Sequence, residues 1–549
     1  MIESRPQLAS TLLARLASPD AALRAMLADT YGASIIESRL PLLRAAVEGF
    51  LARYGDGPAR LFRAPGRINL RGMHVDTHGG FLNLMTHQRE VVVVCRERED
   101  GRCRYANRDP RFAPFEFSTF DHDLSEADSP EGWLAFIDTA STAERGAWER
   151  YAMGATLRAA AAAKGRFQGI DLYAASDLPD GAALSSSSAL CLAVYLAASA
   201  CAGNTPDDAR RILATRDAEW FAGARTGTSD PAAMVLGRAG QLVNVSLLAE
   251  RFSLDTVRRT PFPSDDLAVL VADSRTSRSL SGANLVAYTR NRFAYSVALD
   301  VFRQEMAGMG YAEERIEYCD RLAHISPQLF GGVRFLAALL MRVPEQLDLS
   351  ALRARYELPQ LDALLQRYFG ALPEAEWPTE IPLRGPLVYG LAESCRAERF
   401  FEHIETGRYE EAGRLMFIGH TGDRVTGIDG EPHDRTVTLA TLAHVGDDNL
   451  ALEHVPGDYG ASSPILDLLV DVANSAGALG ASLTGAGIAG SVLALCLRQD
   501  VARVREAWED LLSSEEYARL AGLGLPLLNP EQYVVENVAT ACAGELHFT

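Results

Sequence analysis

Residues 177–190, Asp-Leu-Pro-Asp-Gly-Ala-Ala-Leu-Ser-Ser-Ser-Ser-Ala-Leu, constrain this chain more than any other stretch of it. A tight turn leads to small residues, then to a run of hydroxyls at Ser185, Ser186, Ser187 and Ser188, then to an apolar helix predicted from about Ala189. Gln168 to Ala174 alternates like a strand, so the loop joins a strand to a helix. A helix N-terminus at that junction presents unpaired backbone N–H groups and the positive end of its dipole. Gly181, Ala182 and Ala183 have almost no side chain to hold an anion away, and Leu184 leads into the serines. The stretch reads as an anion cradle that needs no basic side chain. A small-residue helix start with no ligand has the same composition.

The missing basic side chain is a property of the whole chain. Lys164 is its only lysine, and every other basic residue is arginine. A Walker A loop needs a lysine, and so does the strand of a protein kinase. Lys164 lies in Ala-Ala-Ala-Lys-Gly-Arg, a predicted helix end capped by Gly165, and follows no glycine-rich loop. A nucleotide is therefore held here by neither scheme, and the same count disfavours Schiff-base and Ser-Lys catalysis. The formal net charge of −19 repels nucleic acid, and no basic stripe is interleaved with aromatics. The eight cysteines are scattered without a Cys-x-x-Cys pair, several inside apolar runs such as those before Cys95 and Cys496. They are predicted to be buried free thiols in a reducing compartment. No charged-then-apolar leader and no apolar run of about 18 residues is present. The expectation is a cytoplasmic protein with neither nucleic acid nor membrane as partner.

A length of 549 residues supplies two cores or three. Residues 1–50 are predicted to form a helical extension, with Pro19-Asp20 separating two short helices. Strands are predicted over Ala59–Ala64, Glu90–Cys95, Gly240–Leu247 and Leu267–Ala272. Residues 290–415 read as mostly helical, with Pro373, Pro378, Pro382 and Pro386 marking a loop between helical blocks. Residues 424–460 read as a surface excursion. An amphipathic helix over Pro464–Ala478, a glycine-rich turn over 480–490 and a strand over Ser491–Leu497 follow.

Two more stretches call for a chemical reading. Arg63-Ala-Pro-Gly-Arg-Ile-Asn-Leu-Arg-Gly-Met-His-Val-Asp-Thr-His-Gly-Gly80 concentrates Arg67, His74 and Asp76 in a glycine-punctuated loop. Alone it fits a polar loop with turn glycines equally well. His74 and His78 have the spacing of a zinc pair, but Gly72, Gly79 and Gly80 argue against the helix such a pair needs. Gly480-Ala-Ser-Leu-Thr-Gly-Ala-Gly-Ile-Ala-Gly-Ser491 is weak by itself, since a tight strand connection looks the same.

In this order and spacing the three stretches resemble the signature motifs of the GHMP kinases, the superfamily of galactokinase, homoserine kinase, mevalonate kinase and phosphomevalonate kinase. Ala-Pro-Gly-Arg-Ile-Asn-Leu-x-Gly-x-His-x-Asp is similar to the galactokinase form of the first motif. Tyr288-Thr-Arg-Asn-Arg292 resembles the Tyr-x-x-Arg-Arg segment of that branch. Gly413-Arg-Leu-Met-Phe-Ile-Gly-His420 resembles its Ser-His element, with Gly419 for the serine, and Ser463-Pro-Ile-Leu-Asp467 resembles its Ser-Cys-Pro-Glu-Leu-Asp. The resemblance implies a two-domain α+β fold with a ribosomal-S5-domain-2-like N-terminal domain, a ferredoxin-like C-terminal domain and extra helical segments. Expected boundaries are 1–50 for the extension, 51–262 for the first domain and 263–549 for the second, with a helical insertion over about 305–380.

The same resemblance implies an ATP-dependent sugar 1-kinase with Mg2+. Phosphoryl transfer needs positioning and charge neutralisation above all. The loop from Gly181 to Ser188 is the expected ATP phosphate site, backed by Thr484, Gly485 and Gly487. Ser186 and Glu219 are the expected metal ligands. Glu219 lies eleven residues before Asp230, one short of the usual gap, and a gapless match puts Ala218 at the glutamate's place. Asp230, in Gly227-Thr-Ser-Asp-Pro, resembles the catalytic aspartate of Gly-Ile-Met-Asp-Gln, with Pro231 for the glutamine. It would take the proton of the sugar hydroxyl while Arg67 stabilises the developing oxyanion. His74, Asp76, Asp230 and Tyr288 are the expected sugar contacts, together with Met73, where galactokinases carry glutamate. Methionine cannot accept a bond from the terminal hydroxymethyl group, and an unpaired hydroxyl costs roughly 1–3 kcal/mol. Thr77, His78 and Arg71 also depart from the pattern. A pentose, a 6-deoxy sugar or a uronate met by an arginine is expected in place of galactose. A second reading is a sugar and ATP sensor that has lost transfer. Ala183 for glycine, Ser188 for alanine and Met73 support it, and the retained Arg67 and Asp230 oppose it. His74-x-Asp76 and Tyr288 disfavour a GHMP kinase acting on a non-sugar.

Overall fold

The computed structural model describes residues 6–140, 147–179, 181–224, 226–248, 251–276, 283–370, 372–447 and 449–548, and of the helix Ala283–Gly308 it describes side chains from Thr289 onward. Tyr288 is a helical residue whose side chain lies outside that description.

Two long strands, Pro58–Arg71 and Phe81–Glu97, pair antiparallel and form the spine of a nine-stranded sheet. Their register shifts between Pro65 and Arg67 and again between Asn69 and Arg71. Pro65 has no N–H to give a ladder, which is where a bulge is tolerated. Gly66 is required by close approach, because a Cβ there would lie 2.6 Å from Leu178 Cδ2 and 3.1 Å from the Leu184 carbonyl oxygen. The Ala-Pro-Gly-Arg text is thus a kink that lets the serine loop close over the strand and re-aims Arg67. The strand Ile170–Ser176, which delivers the chain to that loop, pairs antiparallel with Phe81–Glu97 and parallel with Arg102–Asn107. Alanine-rich helices Trp148–Ala163 and Ser186–Cys201 pack on this sheet through Ala152, Ala155, Ala189 and Ala193, whose short side chains allow close contact.

The loop helix starts at Ser186, three residues before the sequence-based expectation. Ser185 stands in the left-handed region at φ 62 and turns the chain sharply, so the following serines fall inside the first helical turn. Hydroxyl-rich sequence reads as loop by propensity, and the tertiary turn overrides it here.

The N-terminal segment forms helices Ala9–Ala17, Ala21–Tyr31 and Ile36–Tyr54 after a two-residue strand, with Asp20 capping the second by accepting from the Leu23 N–H at 2.7 Å. Leu27, Leu43, Val47 and Phe50 bury against Val92, Val94 and Ala175 on the other face of the sheet. Buried Glu90 ties the layers together, accepting from Arg63, from Arg39 at 3.3 Å and from the Tyr31 hydroxyl at 2.9 Å. Arg39 also donates to Asp177 at 2.6 Å, so the third helix grips the first residue of the serine loop.

A four-stranded antiparallel sheet forms the second unit, in the order Gly480–Leu483, Ser491–Leu497, Leu267–Asp273, Val534–Glu536. The predicted glycine-rich turn is shorter than expected, since Gly480–Leu483 is a strand and only Thr484–Gly490 turns. Gly480 lies against the backbone of the helix Tyr409–Asp423, where a Cβ would meet the Gly413 carbonyl oxygen at 2.1 Å. Helices Pro464–Ser475 and Val501–Leu512 cover a face of the sheet through Leu466, Leu469, Trp508 and Leu512. Long helices Ala283–Gly308 and Arg384–Glu405 share the main core with the first sheet, and a small two-stranded sheet, Gln346–Asp348 with Glu380–Pro382, interrupts the predicted helical block. Pro386 falls in the first turn of Arg384–Glu405, where its missing N–H costs no helical bond, so the predicted proline loop ends before it. The chain end returns to the first sheet, with Gly544–Glu545 pairing on Pro58–Arg71. All eight cysteines are unpaired and six are buried. Among the described residues no helix is long and apolar enough to cross a membrane.

The close approach at Gly480 carries a measurable cost. Gly480→Ala is expected to lower stability in denaturant melts by about 1–3 kcal/mol through overpacking. Gly524→Ala, where a Cβ meets nothing within 4 Å, is expected to stay within about 0.5 kcal/mol of the unaltered protein.

Candidate functional site

The bulge places the Arg67 side chain, 6% exposed, beside Asp230, and Nε donates to Oδ1 at 2.7 Å. A second guanidinium nitrogen donates to the Ala183 carbonyl oxygen. Ser185 donates to the other Asp230 oxygen. Two sequence motifs, more than 160 residues apart, therefore meet at one ion pair beside the serine loop. Asp230 sits in the first turn of the helix Ser229–Leu236, and Pro231 follows it where a proline is tolerated. Burial pushes the Asp230 carboxyl up, but Arg67 and the Ser185 hydroxyl outweigh it and hold the group below the usual carboxylate range. Asp230 is ionised near neutrality, as a proton acceptor must be.

The serine loop is uncapped. Ser185 gives no side-chain bond to the first turn of its helix, so the turn's N–H groups face the loop with the helix dipole behind them. Ala183 joins Ser185 in the left-handed region, at φ 56. The third motif buttresses this strained bend. Ser491 donates to the Ala182 carbonyl oxygen at 2.6 Å, and Gly490 leaves room for Ala183, since a Cβ there would lie 2.7 Å from the alanine's own. Thr484 bonds both the N–H and the carbonyl of Asn69 at 3.3 Å, tying the motif to the bulged strand. Gly485 and Gly487 both turn at φ 79.

Glu219 is fully buried, as is the neighbouring Ala218, and its carboxylate faces the serine loop. Thr226 donates to one of its oxygens at 2.9 Å and Ser187 to the other at 2.7 Å. The hydroxyl that meets Glu219 is therefore that of Ser187, while Ser186 opens the helix. Burial, and then the Asp230 charge, push the Glu219 carboxyl up to about 7. The groups that pull it back down are the hydroxyls of Ser187, buried Ser188 and Thr226.

The loop after Arg71 is held from the second unit. Glu393, fully buried on the helix Arg384–Glu405, accepts from Arg71 Nε at 3.0 Å and from the N–H groups of Gly72 at 2.7 Å and Met73 at 3.1 Å. Its other oxygen accepts from Arg396 at 2.6 Å. Burial pushes Glu393 up, but Arg71 and Arg396 outweigh it and hold it down at about 2. Gly419 makes the arrangement possible, because a Cβ there would lie 2.5 Å from Arg71 Nη2. Arg71 and Gly419, two departures from the galactokinase pattern, are thus one physical exchange. Arg71 is committed to Glu393 and is 0% exposed, so it is not the arginine a uronate would need. Met73, 1% exposed, packs into the apolar cluster of the four-stranded sheet. His74, at φ 64, stacks on Tyr459 at 4.4 Å with Nε2 3.4 Å from Asp423, whose other oxygen accepts from the Tyr389 hydroxyl at 2.7 Å. Asp76 accepts from Ser229 at 2.9 Å. His78 faces away from His74, bonding Ser296 at 2.9 Å.

Sequence reasoning placed Ser187 in the phosphate loop but not beside Glu219, and did not single out Thr226, Ser229, Glu393, Asp423, Tyr389 or Tyr459. Ser187, Thr226 and Ser229 lie within or beside the motifs and carry hydroxyls next to carboxylates. Glu393 and Asp423 reach the loop only through the packing of the two helices that carry them.

Known proteins match this arrangement. The galactokinase galactose-binding signature matches residues 48–97, the GHMP kinases N terminal domain residues 150–238 and the GHMP kinases C terminal domain residues 400–514. These matches make the chain similar to the GHMP kinases, and its fold is the two-domain α+β fold of that superfamily. A galactokinase from Roseiflexus sp. (strain RS-1) is 28% identical over 460 residues, 83% of this chain and 88% of the relative. One from Streptomyces coelicolor is 27% identical over 485 residues, 87% of this chain and 94% of the relative. The structure of Lactococcus lactis galactokinase complexed with galactose aligns with a TM-score of 0.59 at 18% identity, covering 91% of this chain and 98% of that one, a likeness of fold. The chain is galactokinase-like, a sugar-kinase phosphotransferase.

Two outcomes follow from the burial of these groups. Gly419→Ser is expected to push Arg71 off Glu393 and to lower stability in denaturant melts by about 2 kcal/mol or more. Burial, helped by nearby arginines, pushes both His78 and His87 down to about 3. The unfolded chain takes up those protons near pH 6.5, so their contribution to stability is lost as pH falls below that value. Glu219 has the opposite sign, its burial costing stability as pH rises from about 4.5 towards 7. Two histidines against one carboxylate leave a net uptake of about one proton on unfolding across this range, worth roughly 1.4 kcal/mol per pH unit. The urea midpoint is expected to be lower at about pH 5 than at about pH 7, and His87→Leu to flatten the slope.

Proposed function

We propose that this protein transfers the γ-phosphoryl group of ATP to the anomeric hydroxyl of a galactose-like sugar, releasing ADP and the sugar 1-phosphate. The Arg67–Asp230 pair beside an uncapped helix N-terminus carries the reading. Asp230 accepts the proton of the sugar hydroxyl as that oxygen attacks the γ-phosphorus and the bond to the β-phosphate oxygen breaks. Arg67 keeps the carboxylate ionised beforehand and neutralises the attacking oxygen. The N–H groups and hydroxyls of the 181–188 bend hold the phosphates, a role that strained Ala183 and Ser185 serve by turning the amides outward. Glu219 fits a divalent cation. A buried carboxylate flanked only by hydroxyls and a second anion gains most from an added positive charge. We assign Mg2+ to Glu219 with the serines of the loop, Ser186 or Ser187, where it supplies charge neutralisation on the phosphates.

His74, Asp76 and Tyr288 are assigned to the sugar hydroxyls. The Met73 thioether offers no acceptor for a terminal hydroxymethyl group, and Arg71 is committed to Glu393. A pentose or a 6-deoxy sugar of galactose configuration therefore fits better than galactose or a uronate.

Coupled ADP release assayed over galactose, its 6-deoxy analogue, the corresponding pentose and the uronate is expected to favour the deoxy sugar or the pentose. Asp230→Asn is expected to lower turnover by about 10²- to 10⁴-fold while ATP still binds. Sugar binding without Asp230-dependent ADP release would mean a sensor rather than a kinase.

A further inference from the structure

The Ser229 hydroxyl lies between two carboxylates that the proposed reaction uses differently. It is 2.9 Å from Asp76 Oδ2 and 3.4 Å from Asp230 Oδ1. One hydroxyl has one proton to give, and the shorter charge-assisted contact takes it, so Ser229 donates to Asp76. The galactokinase pattern Gly-Ile-Met-Asp-Gln has methionine at this place, and a thioether donates nothing. The contact is reinforced from the same segment. Gly227 comes so close that a Cβ would lie 2.1 Å from the same Asp76 oxygen. Thr226 reaches Glu219 at 2.9 Å. Residues 226–230 thus touch all three carboxylates of the site, and Ser229 is the first residue of the helix that carries Asp230. The other Asp76 oxygen accepts from no described residue and is left for vicinal hydroxyls.

We infer that Ser229 is a positioning residue for sugar recognition, tying the Asp76 carboxylate to the helix that carries the proton acceptor. The inference rests on the sugar-kinase reading. Donating to Asp76, the hydroxyl holds that carboxylate in one orientation. The distance between the group that holds the ring hydroxyls and the group that meets the anomeric hydroxyl is thereby set within the protein, before any sugar enters. With methionine at this place the aspartate would depend on the sugar itself for that orientation.

The test compares Ser229→Ala and Ser229→Thr with the unaltered protein, using whichever sugar of the panel it turns over best. Ser229→Ala is expected to raise the sugar KM by about tenfold, the scale of one lost hydrogen bond to a charged group, with the ATP KM unchanged. Ser229→Thr keeps the hydroxyl and is expected to restore the sugar KM. Calorimetric titration of the same sugar without ATP is expected to show the same loss and the same rescue. An unchanged sugar KM in Ser229→Ala overturns the inference, as does a fall in kcat alone or a threonine variant as impaired as the alanine one. An unaltered protein that neither binds nor phosphorylates any sugar of the panel overturns the kinase reading itself, and the inference with it.

Discussion

The ion pair between Arg67 and Asp230 is the contact on which the rest of the site depends. It joins a kinked strand of the first sheet to the start of a distant helix, and both ends are pinned again. Arg67 holds the Ala183 carbonyl and Asp230 holds the Ser185 hydroxyl. One charged pair therefore sets the position of the Asp230 carboxylate and the shape of the serine bend together. Burying such a pair is costly unless its remaining donors and acceptors are used, and here the backbone and hydroxyls use them. The same desolvation that makes the pair expensive makes its field strong, which is what a charge-developing reaction needs.

Several other buried carboxylates are each gathered by two or three arginines. Glu90 gathers Arg39 and Arg63, Glu393 gathers Arg71 and Arg396, and Asp171 gathers Arg96, Arg98 and Arg104. A guanidinium offers five donors in a fixed plane, so each can bond a carboxylate and backbone carbonyls at once, as Arg63 and Arg396 do. A lysine ammonium spreads its donors without that geometry. With one lysine in the chain, these clusters are built on arginine, and two of them reach the functional elements. Glu90 anchors the layer that grips Asp177, and Glu393 holds the main chain of the loop that carries His74 and Asp76.

The balance between Glu219 and Asp230 separates their chemistry. Two carboxylates share one buried region, and only Asp230 has a guanidinium. It stays ionised and suits proton transfer. Glu219, flanked by hydroxyls alone, is raised towards neutrality and suits a cation. The division arises from one arginine placed on one side.

Much of this was readable from local chemistry. The strand-to-helix course of the serine loop follows from residue type, because small residues and hydroxyls impose their turns locally, and the family resemblance put Arg67 and Asp230 in one site. The helix start at Ser186 was hidden, since a left-handed Ser185 is imposed by the strand and the third motif packing around it. So was the strand at Gly480–Leu483, whose glycine serves a helix laid against it. Arg71 and Gly419 looked like two separate departures, and only their contact makes them one exchange. Sequence by itself determined which chemical groups the site owns, because a side chain's functional group needs no partner to exist. Tertiary structure alone decided which carboxylate meets the arginine, which serine meets Glu219 and where Met73 points. Those depend on distances between segments 32 residues apart for Ser187 and Glu219 and 163 for Arg67 and Asp230, which no local pattern encodes.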